Sequence, residues 1–560
     1  MSRQQQRAAA RDHARVAPPP PPPPAVRQPS APVAQSRPRS DTVLENLALA
    51  LLSGILLATP FLVAALWWIH YVALVPWILL VTREHTRRAW LYFFAGAYTF
   101  YIMALGPLSL FHKAVPFVLA ALYAPFLLPF ALLLRLLYRR LHWPLAVLVP
   151  VLWVTAEWVR LRYSIGAVAL FPLGSSQFNR TTLIQIAEIT GVYGISFVVA
   201  GANGAIVDVW QAIRGRRWQR AVAASCYLVL LIGVLGYGAV RLERLGVVAG
   251  PRVAVVQPNA VHYRDARRAM QTFQQQADFT RSSVAPGNAD LIAWPENAIG
   301  EPFSDDPRYL AGLGDLARRQ GAHLLVGSFT WADSLDRRVH TSALYFSPQG
   351  SVLGRYDKVH MIPWAEYIPF HGWLNRVNTA LATTFLGYTS RGVAGTEVVV
   401  FAIRTADGAF EFAVPICFEV SNGAFAREAA VKHAAFLVNI TSEGLLGPPM
   451  YVHMLAHSTF RAIENRMAVV RVANNGLSGF IDPAGRPQLM RGVAGRWLFR
   501  EAGILIDRVP VNAAGSGTFY TRHGDLLVYG CAGLSLVLFA WTFASLRSRA
   551  ASAPATDTAP

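Results

Sequence analysis

Residues 410–419 read Phe410-Glu411-Phe412-Ala413-Val414-Pro415-Ile416-Cys417-Phe418-Glu419. The run Phe410–Ile416 is short and rich in β-formers, so it reads as a strand. It ends on a thiol, with a carboxylate two residues further on. Similar runs lie on both sides: Arg252–Gln257, Asp290–Trp294, His323–Phe329, Ser342–Phe346, Ala435–Ile440 and Ala468–Ala473. A hairpin is expected where 342–346 and 351–356 flank Pro348-Gln349-Gly350, and helical patterns cover Tyr309–Gln320 and Tyr451–Arg466. Strands that alternate with helices beside hairpins predict a layered α/β sandwich over 251–512.

Two other strand ends carry unusual residues. Ala293-Trp294-Pro295-Glu296-Asn297-Ala298 puts a carboxylate after an apolar strand. Gly354-Arg355-Tyr356-Asp357-Lys358-Val359-His360 holds the sole lysine between Lys113 and Lys432, and Pro363-Trp364-Ala365-Glu366-Tyr367-Ile368-Pro369 follows it. Singly, each has an ordinary explanation: a solvated loop glutamate, a surface salt bridge to Asp357, an inert buried thiol. Together they supply what a nucleophilic thiol needs. A base makes the thiolate, and a compact cation holds the developing oxyanion.

Outside this region the chain changes character. Of 560 residues, 53% are hydrophobic and only 15% charged, against about 25% charged in aqueous domains. Apolar runs at about 43–58, 61–81, 89–110, 114–137, 143–159, 185–207, 221–240 and 525–546 predict eight membrane helices, the first two joined at Thr59-Pro60 as a hairpin or re-entrant element. The net charge is +19, of which the Pro-rich segment 1–40 supplies +6. The remaining basic clusters lie at Arg83/Arg87/Arg88, Arg135/Arg139/Arg140, Arg214/Arg216/Arg217/Arg220 and Arg547/Arg549. With eight crossings all of these fall on the N-terminal, cytoplasmic side. The 160–184 loop and 241–524 fall outside, where Arg160, Arg162 and Arg180 are expected to meet lipid phosphates. This distribution reads as membrane orientation and not as a nucleic-acid surface. The three cysteines exclude a disulfide framework. His453 and His457 are spaced i, i+4 without a companion glutamate, so no metal is expected, and Glu464 and Arg466 read as structural ion pairs. No cleavable signal peptide is expected, and 1–40 reads as disordered.

The order WPENA, GRYDKVH, PICFE resembles the carbon–nitrogen hydrolase (nitrilase) superfamily. The stretches SPQGSVLGRYDKVHMIPWAEYIPF (347–370) and FRAIENRMAVVRVANNGLSGFIDPAGR (460–486), together with seven helices before the soluble domain and one after it, are similar to the bacterial apolipoprotein N-acyltransferases; EWVRLRYSIGAVALFPLGSSQF (157–178) resembles their outer loop more loosely. The resemblance implies an α-β-β-α sandwich with Glu296 as general base, Lys358 as oxyanion donor and Cys417 as nucleophile. Glu366 and Glu419 would support the site, and Phe418 stands where the family often has Tyr. The chain departs from the family at Thr441-Ser442-Glu443-Gly444-Leu445-Leu446-Gly447, in place of Asn-Asp-Ala/Gly-Trp-Phe-Gly. It departs again at His262-Tyr263-Arg264, in place of a Lys-Trp pair.

On this reading the chain divides into a tail (1–40), a seven-helix membrane domain (41–245), a periplasmic catalytic domain (246–515), a last helix (520–547) and a cytoplasmic tail (548–560). A phospholipid would donate an acyl chain to a diacylglyceryl-modified apolipoprotein by a ping-pong reaction through Cys417. No cofactor is needed, membrane lipids are the other partners, a monomer is expected, and the location is a bacterial inner membrane. An apolar lid over the thioester is expected at 370–393, carrying Trp373, Leu374, Leu381, Phe385, Leu386 and Tyr388. Two rivals remain open: a membrane-tethered amidase, which would release ammonia without an acyl acceptor, and a catalytically degenerate scaffold.

Overall fold

Alternation along the strands decides which side chains go where. The computed structural model describes residues 40–83, 88–110, 112–163, 170–215, 218–261, 266–299, 306–335, 337–367, 376, 379–380, 383, 392–444, 446–492 and 495–551. The tail before residue 40, nearly all of the expected lid and the residues after 551 lie outside these. Residues 45–560 form one compact unit, and a second spans 1–44.

Twelve strands are found among the described residues: β1 Val247–Gln257, β2 Leu291–Ala293, β3 His323–Asp333, β4 Arg338–Phe346, β5 Val352–Asp357, β6 Val400–Thr405, β7 Gly408–Ala413, β8 Phe436–Thr441, β9 Ala468–Ala473, β10 Gly479–Ile481, β11 Pro487–Leu489 and β12 Gly503–Asn512. They form two six-stranded sheets, ordered β12-β1-β2-β3-β4-β5 and β11-β10-β9-β8-β7-β6. The centres, β1-β2-β3 and β7-β8-β9, are parallel. Parallel neighbours need crossovers, and the helices Ala266–Ser283, Pro307–Gln320, Gly423–Val431 and Pro448–Asn465 supply them.

In the first sheet Val253, Val255, Leu291, Ala293 and Leu325 share a core with Phe412 and Ile440 of the second. The Tyr345 ring of the first sheet lies 5.4 Å from that of Phe412. The residues in between, Ala254, Val256, Ile292, Trp294, Leu324 and Val326, pack instead on Phe273, Ala277 and Leu313 of the covering helices. This period-two division makes the α-β-β-α sandwich, since the residues of the central strands face alternately the partner sheet and a helix.

The eight apolar runs appear as helical segments, six of them long and apolar enough to cross a membrane: Val43–Leu62, Ala64–Thr82, Val115–Leu141, Val192–Gly215, Trp218–Arg244 and Leu526–Ala544. Ala89–Ala104 is shorter, and Leu145–Tyr163 carries Glu157, Arg160 and Arg162. The first helix, Ser40–Leu62, runs through Pro60, and the break falls at Val63. Buried polar side chains satisfy the backbone groups freed by the irregular turn that follows. Asn203 accepts from Leu74 N (2.8 Å) and donates to the His70 carbonyl (2.9 Å), while a His70 ring nitrogen meets the Leu57 carbonyl at 2.8 Å. Where water is absent, such groups need partners within the protein.

Helix Pro448–Asn465 joins the two parts of the molecule. His453 Nε2 accepts from Phe171 N (3.2 Å), and Glu464 accepts from Val192 N (2.9 Å). Arg466, just after the helix, pairs with Glu188 at 2.6 Å and donates to Gln185 at 2.8 Å. Glu464 pairs with Arg461 at 2.9 Å. His453 and His457 contact one another at 3.0 Å within this packing. The expectation that Arg160 meets lipid fails. It is buried and donates to the Leu170 and Phe171 carbonyls, because that stretch of backbone has no helix partners of its own.

Candidate active site

Three strand ends converge. Beyond β2, Trp294 N donates to the Leu325 carbonyl and Ala298 N to that of Gly327, so the 294–298 loop lies flat on β3. Only glycine permits this at 327, because a Cβ there would stand 2.5 Å from the Pro295 carbonyl. Asn297 takes a left-handed φ of 55°, which turns the chain after Glu296. Lys358 follows β5 and is tied by its own N–H to the Thr341 carbonyl at 2.8 Å. Cys417 follows Ile416, which bridges to Ile440 of β8. Its φ of 56° lies in the left-handed region, a strained position for a side chain that costs about 1–3 kcal/mol and is held by its surroundings.

Glu296, Lys358 and Cys417 are all buried. Lys358 Nζ lies 2.5 Å from Glu366 Oε1 and 3.7 Å from Glu296 Oε1. Glu296 Oε2 accepts from Ser442 N at 2.9 Å, and the Glu296 carboxyl and the Cys417 thiol influence one another's ionisation within the same buried pocket. Glu366 Oε2 accepts from Ile362 N at 2.8 Å, which fixes the carboxylate that holds the lysine. Glu419 does not touch the lysine. It accepts from Tyr356 Oη (2.8 Å), Val359 N (2.9 Å), His360 N (2.8 Å) and Ile416 N (2.9 Å), and so clamps both sides of Lys358 to the residue before Cys417. Phe418 is half-buried against the core.

The electrostatics follow from burial. Desolvation lifts the Glu296 carboxyl to about 7, with the Lys358 ammonium pulling the other way. Burial also raises the Cys417 thiol well above its ordinary value, helped by the Glu296 charge and opposed by Lys358. Burial works against the Lys358 ammonium, but Glu366 and Glu296 outweigh it and its pKa rises. The resting arrangement is therefore a neutral thiol beside a carboxyl that can take its proton near neutrality, with a permanent cation alongside.

Sequence reasoning named all six of these side chains and missed their supports. The Ser442 N–H is a backbone donor and leaves no signature in residue type. Glu443, read as part of a departure from the family pattern, pairs with Arg471 at 2.5 Å in full burial; Arg471 also donates to Asn439 Oδ1 (3.0 Å). Asn439 in turn donates to the Pro415 carbonyl at 2.9 Å, beneath the cysteine turn. The Arg471 in the 460–486 stretch was the available signal. Among the described residues no group of three or more His, Cys, Asp or Glu could hold a metal ion.

Comparison with known proteins adds to this geometry. Residues 53–205 match the apolipoprotein N-acyltransferase N-terminal domain, and residues 252–494 match the carbon–nitrogen hydrolase domain. The apolipoprotein N-acyltransferase of Geobacter metallireducens is 31% identical over 529 residues, covering 90% of this chain and 96% of that protein. Apolipoprotein N-acyltransferase 2 of Treponema denticola is 28% identical, covering 81% and 88%. Among solved structures, an amidase from Nesterenkonia sp. is 17% identical with a TM-score of 0.33, covering 51% of this chain and 97% of its own.

Proposed function

Because the chain belongs to the apolipoprotein N-acyltransferase family, we propose that it carries a fatty acyl group from a phospholipid to the free α-amino group of a diacylglyceryl-modified N-terminal cysteine of an apolipoprotein. Cys417 is the carrier. Glu296 takes the thiol proton as the sulfur attacks the ester carbonyl, and Lys358 faces the tetrahedral oxyanion. The C–O bond breaks, the departing oxygen takes the proton from Glu296, and lyso-phospholipid leaves. The amine then attacks the thioester, Glu296 accepts its proton, the C–S bond breaks and the thiol is restored. Glu366 keeps the ammonium in place, and Glu419 fixes the distance between the lysine and cysteine turns.

The observation that carries this reading is a buried carboxyl that shares its pocket with a buried thiol and lies 3.7 Å from a buried ammonium. The substrates keep their chains in the bilayer, since extraction costs about 0.8 kcal/mol per CH₂. We place the helices of 41–245 and 520–547 in a bacterial inner membrane and the 246–515 domain on its outer face. The basic clusters between the helices support that orientation.

The test is mass spectrometry of the intact protein incubated with phospholipid alone. An acyl adduct on Cys417 is expected, absent in Cys417→Ala and discharged by a diacylated lipopeptide. A folded protein that gains no adduct ends the proposal.

A further inference from the structure

A cavity of about 410 Å³ lies away from the triad, where the outer ends of helices Leu145–Tyr163 and Leu526–Ala551 meet the start of helix Gly423–Val431. Arg162, Arg427 and Arg461 line it, with His523 and Asp525. Arg162 is exposed and has no ion pair among the described residues. Arg461 is 3% exposed. One of its terminal nitrogens binds Glu464, and its Nε has no partner among the described residues. Its other terminal nitrogen lies 2.5 Å from where a Cβ on Gly423 would stand, so glycine there keeps the guanidinium in contact with the cavity. Arg427 is held by the Thr521 and Arg522 carbonyls, to which its Nε and Nη2 donate, and Asp525 accepts from Tyr520 Oη. Three guanidinium groups against one lining carboxylate form an anion site at the start of helix Gly423–Val431, whose Ala424 N–H is capped by Asn422.

The cavity shares Trp158 with a second one of about 560 Å³, lined by Leu132, Leu136, Ala532, Leu536 and Phe539. A third, of about 400 Å³, continues from it past Thr155 to Leu152. Both are almost wholly apolar; the second lies between helices Leu128–Leu141, Leu145–Tyr163 and Leu526–Ala551, and the third between the first two of these. Tyr529 stands at the upper rim with its ring 5.8 Å from Trp158, a pair suited to the membrane interface. From Tyr529 to Phe539 the groove descends about 15 Å at helical rise, the depth of one leaflet in a hydrocarbon core about 30 Å thick.

We propose that this continuous feature holds a resident phospholipid of the outer leaflet, distinct from the acyl donor. Its phosphate sits among Arg162, Arg427 and Arg461, and one chain lies in the groove below Trp158. A cationic pocket over an apolar furrow of leaflet depth matches that molecule in both charge and length. The pocket also reaches Ser421 at the end of the turn that begins with Cys417, so the lipid braces the back of the nucleophile turn. The inference goes beyond acyl transfer and does not depend on a thioester forming.

The test uses the full-length protein in nanodiscs of phosphatidylethanolamine and phosphatidylglycerol. A trace of phosphatidylethanolamine carries a photoreactive diazirine on its chain, and adducts are mapped by peptide after irradiation. Peptides containing Leu132–Leu136 and Ala532–Phe539 are expected to label about tenfold more than the exposed helix Trp218–Arg244, which reports bulk lipid. Ala532→Phe, which fills the groove, should bring them to the bulk level, and Arg162→Glu should lower them about fivefold. Leu132→Trp on the opposite wall carries the same expectation if Ala532→Phe fails to assemble. Labelling equal to that of the exposed helix, or indifferent to both groove-filling variants, means annular lipid only and overturns the site. Groove labelling unchanged in Arg162→Glu overturns the headgroup assignment.

Discussion

In the proposed reaction Glu296 must lose its proton before it can take one from Cys417. With its carboxyl held at about 7, the rate of Cys417 acylation should rise with pH through that value and level off above it. A stopped-time acylation series between pH 5 and 9 reads this directly; a flat profile would remove Glu296 as the base. The same shift has a stability sign. The folded carboxyl keeps its proton up to about 7 while the unfolded one releases it near 4.5. Ionisation therefore costs the fold about 3 kcal/mol, and stability falls as pH rises across that window. Glu296→Gln should flatten this slope and lower acylation by at least about a hundredfold. Lys358→Met removes the proposed oxyanion donor and leaves Glu366 and Glu296 without the cation between them, so a loss of about 10²–10³ in acylation rate is expected. The same variant should raise the pH midpoint, since a cation that favours the Glu296 charge is gone. These three residues were legible because each ends a strand with an uncommon side chain. Ser442 was not, since its contribution is a main-chain N–H.

Elements matter through what they clamp. Glu419 gathers four donors from the ends of β5 and β7. Glu419→Gln turns an amide toward the N–H groups of Val359, His360 and Ile416, of which only Val359 N has a second acceptor, Tyr356 Oη at 3.3 Å, and each donor left unpaired costs about 1–3 kcal/mol. Acylation should fall together with the melting temperature, while the pH midpoint stays near that of the native enzyme. Between the sheets, Phe412 is fully buried and stacks on Phe436 at 5.3 Å. Phe412→Ala should cost about 3–5 kcal/mol, measured by denaturant or thermal unfolding in detergent, with the triad chemistry intact in the folded fraction. The central strands were readable because both faces are apolar. β12 was not, because Asp507, Arg508 and Pro510 interrupt it, a pattern tolerated at the edge of a sheet, where β12 lies. β10 and β11, of three residues each, are too short to show a period.

At the scale of the whole molecule, one carboxylate binds the parts together. Glu188 meets Arg466 of the sandwich at 2.6 Å and Arg241 of helix Trp218–Arg244 at 2.6 Å. Arg466→Met leaves this group with half its compensation, and a loss of about 3 kcal/mol is expected, seen as earlier proteolytic cutting near the seam. The apolar runs announced the helices from composition alone. Nothing in them foretold that Arg160 turns inward, because a basic residue near a helix end gives no sign of which backbone carbonyls it will serve.

The first and last strands of the sandwich, β1 and β12, lie side by side and run in opposite directions, with Val247 opposite Asn512. The chain therefore enters and leaves the catalytic body at one point, within a few residues of the helices at either end. A folded enzyme whose ends already touch can be spliced into the hairpin between two membrane spans without prying them apart. That is how such a chain can arise by the insertion of one gene into another.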